Sequence, residues 1–193
     1  MNLQILFYAS MAAWFLSEII YKQKLKSADK DQKKDQSTLS ILWIVILFSI
    51  GSAVMVSHIS DFVITDSVWI VYTGQALIII GIVCRYLIIR SLGKYFTVDV
   101  TIREDHKIKK DGLYHYVRHP SYTFALLTFL GLGLYLNNWI SLALAFIPPC
   151  IAFSYRIKIE EQVLIGQFGD DYIQYRKATK SLFHLFINNK NTE

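Results

Sequence analysis

The run Gly112-Leu113-Tyr114-His115-Tyr116-Val117-Arg118-His119-Pro120-Ser121-Tyr122 sets tyrosines, histidines and an arginine against a long apolar segment. Such groups are costly at membrane depth unless a ligand or partner satisfies them. Pro120 fits the first turn of a helix, where its missing N–H costs nothing. Arg118 and His119 then stand at a helix N-terminus, whose dipole and free N–H groups attract anions and carboxylates. Further along, Arg156, Glu160 and Leu164 follow i, i+4 spacing and share one helix face. By spacing alone, Arg156 and Glu160 are an ordinary helical ion pair contributing about 0.3–0.5 kcal/mol. Their place where the last apolar segment ends, opposite the tyrosine- and histidine-rich run, favours a site instead. Tyr114, Tyr116 and Tyr122 read equally well as an interfacial aromatic belt. Lys107, Lys109 and Lys110 read most simply as a solvated basic loop. His115 and His119 are four apart, but Pro120 prevents a regular helix through both, and no carboxylate or cysteine completes a metal set. No glycine-rich dinucleotide or phosphate loop is present, so a nucleotide-like cofactor would bind outside a Rossmann fold.

The elements that must hold these residues are membrane helices. The chain has 193 residues and is 53% hydrophobic, with the apolar residues in blocks. Asn2–Tyr21, Leu39–Ile59 and Val68–Ile89 each reach the roughly 20 residues that cross hydrocarbon. The first is interrupted by Glu18 and the third by Arg85. Tyr122–Leu136 and Trp139–Tyr155 are shorter, with only Asn137-Asn138 between them, and predict a tight helical hairpin, tilted or shielded by protein. Pro148-Pro149 predicts a kink or break in the last span. The first block has its lysines after the apolar run, the wrong polarity for a cleaved signal, so it reads as a retained span.

Charge sets the topology. Of the 20 Lys and Arg residues, six lie in the linker 22–38, two (Arg85 and Arg90) close the third span, six lie in 91–121 and six in 156–190. The loop 60–67 and the Asn137-Asn138 turn have none. Five spans with the N-terminus outside and the C-terminus inside satisfy the positive-inside rule. The formal net charge of +5 is thus a topology signal that also suits anionic headgroups, not a nucleic-acid signal. Cys84 and Cys150 read as small apolar residues. The expected fold class is an all-α integral membrane protein: residues 1–90 form three spans with a solvated basic linker, and 91–193 form the core with its hairpin at 122–155. Within that core, 97–102 alternates β-branched residues and reads as a short extended piece. Lys110-Asp111-Gly112 reads as a turn, Gly169 as a helix end, and Asp170 as the N-cap of a further short helix.

The pattern Gly-x-Tyr-(x)3-Arg-His-Pro-x-Tyr, a hairpin, then Arg-(x)3-Glu-Glu-(x)6-Phe-Gly-(x)2-Tyr-(x)2-Tyr resembles the isoprenylcysteine carboxyl methyltransferase family. It is carried by Gly112, Tyr114, Arg118, His119, Pro120, Tyr122, Arg156, Glu160, Glu161, Phe168, Gly169, Tyr172 and Tyr175. The resemblance covers roughly residues 91–183. It implies S-adenosylmethionine as methyl donor and a cofactor pocket made by the loop before the fourth span, that span's start and the helix after the fifth, which the charge-derived topology puts on the cytosolic side. By position it implies that His106, Lys107, Ile108 and Lys109 line the cofactor, and that Tyr114, His119, Pro120, Ser121 and Tyr122 hold its other parts. Glu160 would pair with the cofactor's amino group. Arg156 would serve as catalytic and substrate-binding residue, holding an acceptor carboxylate. Asp99 falls near a cofactor-contacting position of the family. The implied partners are the bilayer and a lipophilic small-molecule or prenylated substrate, with neither metal nor nucleic acid.

The chemistry agrees. Methyl transfer from a sulfonium is an in-line displacement in which positioning does much of the work. A carboxylate acceptor is already ionised at pH 7 and needs an arginine fork rather than a base. A lipid or polyketide hydroxyl or amine would want a base, for which His119 or Glu160 are candidates. The Arg-His-Pro-x-Tyr piece also occurs in phospholipid methyltransferases and in membrane sterol reductases. A nicotinamide-dependent reductase is therefore one rival, opposed by the Glu160-Glu161 and Phe168-Gly169 tail. A non-catalytic membrane protein is the other, opposed by the intact Arg156, Glu160, His119 and Tyr122 set.

Overall fold

A backbone in hydrocarbon must satisfy its hydrogen bonds within itself, so the apolar blocks become helices. The computed structural model describes residues 2–24, 32–35, 37–93, 100–102 and 108–181. The elements run α1 (Leu3–Lys24), β1 (Gln32–Asp35), α2 (Ser37–Ile59), α3 (Trp69–Leu92), β2 (Val100–Ile102), α4 (Pro120–Tyr135), α5 (Trp139–Phe168) and α6 (Asp170–Ala178), with a 3-10 turn at Gly112–His115 before α4. Four of the described helices, α1, α2, α3 and α5, are long and apolar enough to cross a membrane. α4 has 16 residues, about 24 Å of helix against about 30 Å of hydrocarbon. It is shielded as expected, with Ala125, Leu126, Phe129 and Leu132 all buried. This is a multi-pass helical membrane protein.

β2 falls within the extended piece expected at 97–102, whereas β1, in the expected linker, and the pairing of the two depart from the all-α expectation. β1 pairs antiparallel with β2, Gln32 opposite Ile102 and Lys33 opposite Thr101, so part of the supposed linker is extended. The β-branched Val100-Thr101-Ile102 favours that conformation.

Helices in lipid associate through close backbone approach and interhelical hydrogen bonds rather than through a hydrophobic drive. α3 and α4 use glycine. A Cβ on Gly131 would lie 2.7 Å from the Gly74 carbonyl oxygen, and one on Gly74 would strike the backbone of Tyr135. α2 and α5 use serine: Ser141 Oγ donates to the Ala53 carbonyl at 2.7 Å. α1 closes the bundle with Trp14 edge-on to Phe129 and Phe7 stacked on Tyr135. On one end, Asn138 ties the turn to the loop before α3 and caps α5: its amide donates to the Ser60 carbonyl at 2.9 Å and accepts from Ser141 N at 3.0 Å.

The expected break at Pro148-Pro149 does not occur, for α5 is one 30-residue helix through both prolines. The reason lies in α2. Pro148 has no N–H for the carbonyl four residues back, which is that of Leu144. Ser49, buried on α2, donates its hydroxyl to that same carbonyl. The freed acceptor is thereby satisfied by protein. Continuity of α5 carries Arg156 and Glu160 rigidly beyond the apolar stretch.

Ser49→Ala should therefore lower stability by about 1 kcal/mol, the scale of interhelical hydrogen bonds in membranes. In a Pro148→Ala background, where position 148 regains its own N–H, the same serine substitution should cost much less. Denaturant unfolding in detergent would show this non-additivity. Equal losses in both backgrounds would disprove the pairing.

Candidate functional site

The 3-10 turn and Pro120 fix how the chain enters α4. Tyr122 N and Thr123 N both turn back to the His119 carbonyl, at 3.1 and 3.2 Å. That places Arg118 and His119 at the mouth of α4, as the proline predicts. The carboxylate they attract is internal: Glu161 Oε1 accepts from Arg118 Nε at 2.8 Å and lies 3.1 Å from His119 Nε2. Arg176 Nε approaches the other oxygen at 3.4 Å. Arg118 also donates to the carbonyls of Arg176 (2.9 Å) and Thr179 (2.5 Å), the free acceptors at the end of α6. A short parallel bridge, Arg118 N to Lys180 O and Lys180 N to Tyr116 O, both 3.0 Å, completes the join. One arginine and one glutamate thus lock α4, α5 and α6 together.

Beside this lock stands a second group. The Tyr122 hydroxyl donates to Glu160 Oε2 at 2.9 Å and accepts from Arg156 Nε at 3.1 Å. Arg156 Nη1 donates to Thr38 Oγ1, at the start of α2, at 3.1 Å. Arg156 is only 4% exposed, whereas the Glu160 side chain is 31% exposed. The His119 ring is stacked near Tyr122, with Nδ1 3.9 Å from Glu160. A cation and an anion one helical turn apart are therefore held on a single phenol. The expected Arg156–Glu160 relation exists, but it runs through Tyr122.

Tyr114 is buried, and its carbonyl accepts from the Tyr175 hydroxyl at 2.6 Å. Burial pushes the Tyr175 phenol up to about 12. Burial also raises Tyr114 and Tyr172 far above the usual phenol range, with Glu160 adding to the Tyr114 shift and Glu161 to that of Tyr172. All three remain neutral phenols at physiological pH. Ile108 and Lys109 are half-buried, and Lys109 pairs with Asp111 at 3.2 Å, lowering that carboxyl. His106, Lys107 and Asp99 lie outside the described residues.

The structure thus brings Tyr114, His119, Pro120, Ser121, Tyr122, Arg156 and Glu160 to one end of the α4–α5 pair. Sequence reasoning overlooked Glu161 as the partner of Arg118 and His119. It also overlooked Arg85, which grips Glu18 at 2.7 Å and Ser121 Oγ at 2.6 Å. The available signal was that Glu18 and Arg85 are lone charges in apolar spans.

Known proteins are similar to this chain in sequence and fold. A family model described as phospholipid methyltransferase matches residues 69–171, more than half of the chain. The protein-S-isoprenylcysteine O-methyltransferase of Schizosaccharomyces pombe is 38% identical over 118 residues, covering 58% of this chain and 49% of its own length. Protein-S-isoprenylcysteine O-methyltransferase B of Arabidopsis thaliana is 37% identical over 116 residues, 58% of each. The probable protein-S-isoprenylcysteine O-methyltransferase of Oryza sativa subsp. indica is 30% identical over 136 residues, 67% of this chain and 71% of that one. The chain thus spans about half the length of the first two relatives. A solved eukaryotic intramembrane Ras methyltransferase, an isoprenylcysteine carboxyl methyltransferase, superposes with a TM-score of 0.60 at 23% identity over 74% of this chain and 51% of its own, a likeness of fold. With the Arg-His-Pro-x-Tyr and Arg-(x)3-Glu-Glu segments meeting in one site, the chain belongs to the isoprenylcysteine carboxyl methyltransferase family.

Proposed function

We propose that this protein moves a methyl group from S-adenosylmethionine to the carboxylate of a lipophilic, isoprenylcysteine-like acceptor, giving a methyl ester. The observation that carries the reading is the Tyr122 hydroxyl bridging Arg156 and Glu160. The donor set fits the methyl donor: a part-exposed carboxylate at Glu160 suits an ammonium, and the buried phenols around it suit the remainder. Glu160 would hold the amino group, with Tyr114, His119, Pro120, Ser121 and Tyr122, and His106, Lys107, Ile108 and Lys109, around the other parts. When bound, S-adenosylmethionine supplies an electrophilic methyl on a positive sulfur.

The chain's own task is then positioning. Arg156 would pair with the acceptor carboxylate, fixing it without a general base, since a carboxylate is already ionised at neutral pH. Tyr122 keeps that cation at a set separation from Glu160. Tyr114, Tyr172 and Tyr175, held neutral by burial, offer no phenolate to compete for the methyl. The charge alternation supports five crossings, with α4 as the short one, the N-terminus outside and this site on the cytosolic side. A polar cofactor would enter from that side and a greasy acceptor from between the helices.

The first test is transfer of a labelled methyl into a lipid and membrane-protein extract, followed by base treatment. A base-labile label is expected. A base-stable one would move the acceptor to a headgroup amine or a hydroxyl, and heat on titration with NADPH but none with S-adenosylmethionine would favour a reductase.

Two substitutions separate the halves of the site. Glu160→Ala should weaken S-adenosylmethionine binding about 10- to 100-fold, the loss of a charge-assisted hydrogen bond of about 1.5–3 kcal/mol. Arg156→Ala should leave that affinity near wild type and lower kcat/KM for a carboxylate acceptor by at least a similar factor. Calorimetry and initial rates read the two separately, and identical behaviour of both variants would refute the division of roles.

A further inference from the structure

Arg85 and Glu18 are charges inside helices that are otherwise apolar over most of their length. Their side chains are each 11% exposed, and they pair at 2.7 Å (Nε to Oε1) and 3.2 Å (Nη2 to Oε2). A buried ion pair is weak support for stability, because desolvating both charges offsets their attraction. α1 and α3 also already touch through a neutral bond, Gln75 Nε2 to Ser10 Oγ at 2.9 Å. The ion pair therefore needs a reason beyond joining two helices. It lies in the arm of the fork that Glu18 does not use. Arg85 Nη1 donates to both the Ser121 carbonyl (3.0 Å) and Ser121 Oγ (2.6 Å). Ser121 sits in the first turn of α4, between Pro120 and Tyr122. The reach of this cation extends to Tyr114, whose phenol is raised first by burial and then by Glu160, Tyr175 and Tyr122, with Arg85 opposing.

We propose that Arg85 is a positioning residue for the cofactor half of the site: Glu18 orients its guanidinium, and its free arm fixes Ser121 and hence the first turn of α4. Four of its five N–H donors are committed by this geometry. A planar fork makes these contacts together, and an ammonium cannot. A lysine at 85 would keep the charge and a contact to Glu18 while losing the simultaneous grip on both oxygens of Ser121.

The inference rests on the proposed reading of the site for its consequence, but not for its structural step. The test therefore uses two readouts on the full chain in detergent. Backbone hydrogen exchange of the protein alone should show Arg85→Lys speeding exchange at Tyr122 and Thr123, with α6 unchanged. Glu18→Gln should do the same more weakly. Calorimetry should show the dissociation constant of S-adenosylmethionine rising about tenfold in Arg85→Lys, while the KM for the lipophilic acceptor holds. Ser121→Ala should weaken the cofactor too, and Arg85→Lys should add little on top of it. Unchanged exchange at the start of α4 overturns the proposal, as does faster exchange with wild-type cofactor affinity. If the wild-type protein binds no S-adenosylmethionine, the cofactor role of Arg85 falls with the proposed function. The exchange result then still reports whether Arg85 holds α4.

Discussion

The three chain segments that meet at the site end of this bundle are joined on the Glu161 carboxylate. Arg118 comes from the entry to α4, His119 from the same turn, and Arg176 from α6, and all three converge on it. The Arg118 and Glu161 side chains are 7% and 10% exposed, so losing either would strand a charge that water cannot easily reach. Breaking such a pair typically costs about 3–5 kcal/mol. Arg118 adds a second hold by donating to the last carbonyls of α6. A helix of nine residues has little stability of its own in water, so α6 stays folded because its end is gripped. The join of α4, α5 and α6 is thus ionic where the pairs α3–α4 and α2–α5 are held by glycine contacts and neutral hydrogen bonds.

That difference follows depth. Within the apolar stretch the helices meet through glycines and hydroxyls, where no charge needs desolvating. Ser49 shows how closely sequence choices are linked across helices: a proline on α5 frees a carbonyl, and a serine on α2 meets it. Towards the site end, carboxylates and guanidinium groups take over, first Glu18 with Arg85, then Glu161 with Arg118. α5 runs through both regimes without interruption, about 45 Å of helix from its 30 residues. It therefore transmits the position fixed by apolar packing to Arg156, Glu160 and Glu161.

Much of this was legible in the sequence, and the failures have physical causes. Pro120, Arg118 and His119 announced a helix entry, because the proline ring and the charge preference of a helix N-terminus are local properties. Arg156, Glu160 and Leu164 announced one face, because helical spacing is local too. Which of two adjacent glutamates meets α4 was not local. Glu160 and Glu161 differ by about 100° around the helix, and only the rotation of α5 against its neighbours decides the matter. The ribbon between β1 and β2 and the tie from Glu18 to Arg85 are pairings across more than 60 residues, which no periodicity records. The double proline did not break the helix, and for Pro148 the reason is not local: the lost backbone bond is visible in the chain, while its replacement, Ser49, is on another helix.

The rotation of α5 also explains why the site has two carboxylates with different characters. Glu161 faces a closed set of cations and is consumed by structure. Glu160 faces Tyr122 and is open on one side, with 31% of its side chain exposed. Tyr122 has one proton to give, and it goes to Glu160; the lone pair of the same oxygen receives Arg156. In the proposed reading, Tyr122 therefore stands between the group for the methyl donor and the group for the acceptor, in contact with both. Arg156 is anchored on α2 through Thr38, and Tyr122 follows the turn that Arg85 grips, so displacement of α1, α2 or α4 reaches that hydroxyl. α1 and α2, which precede the residues that the family model matches, thereby acquire a chemical reason to be present.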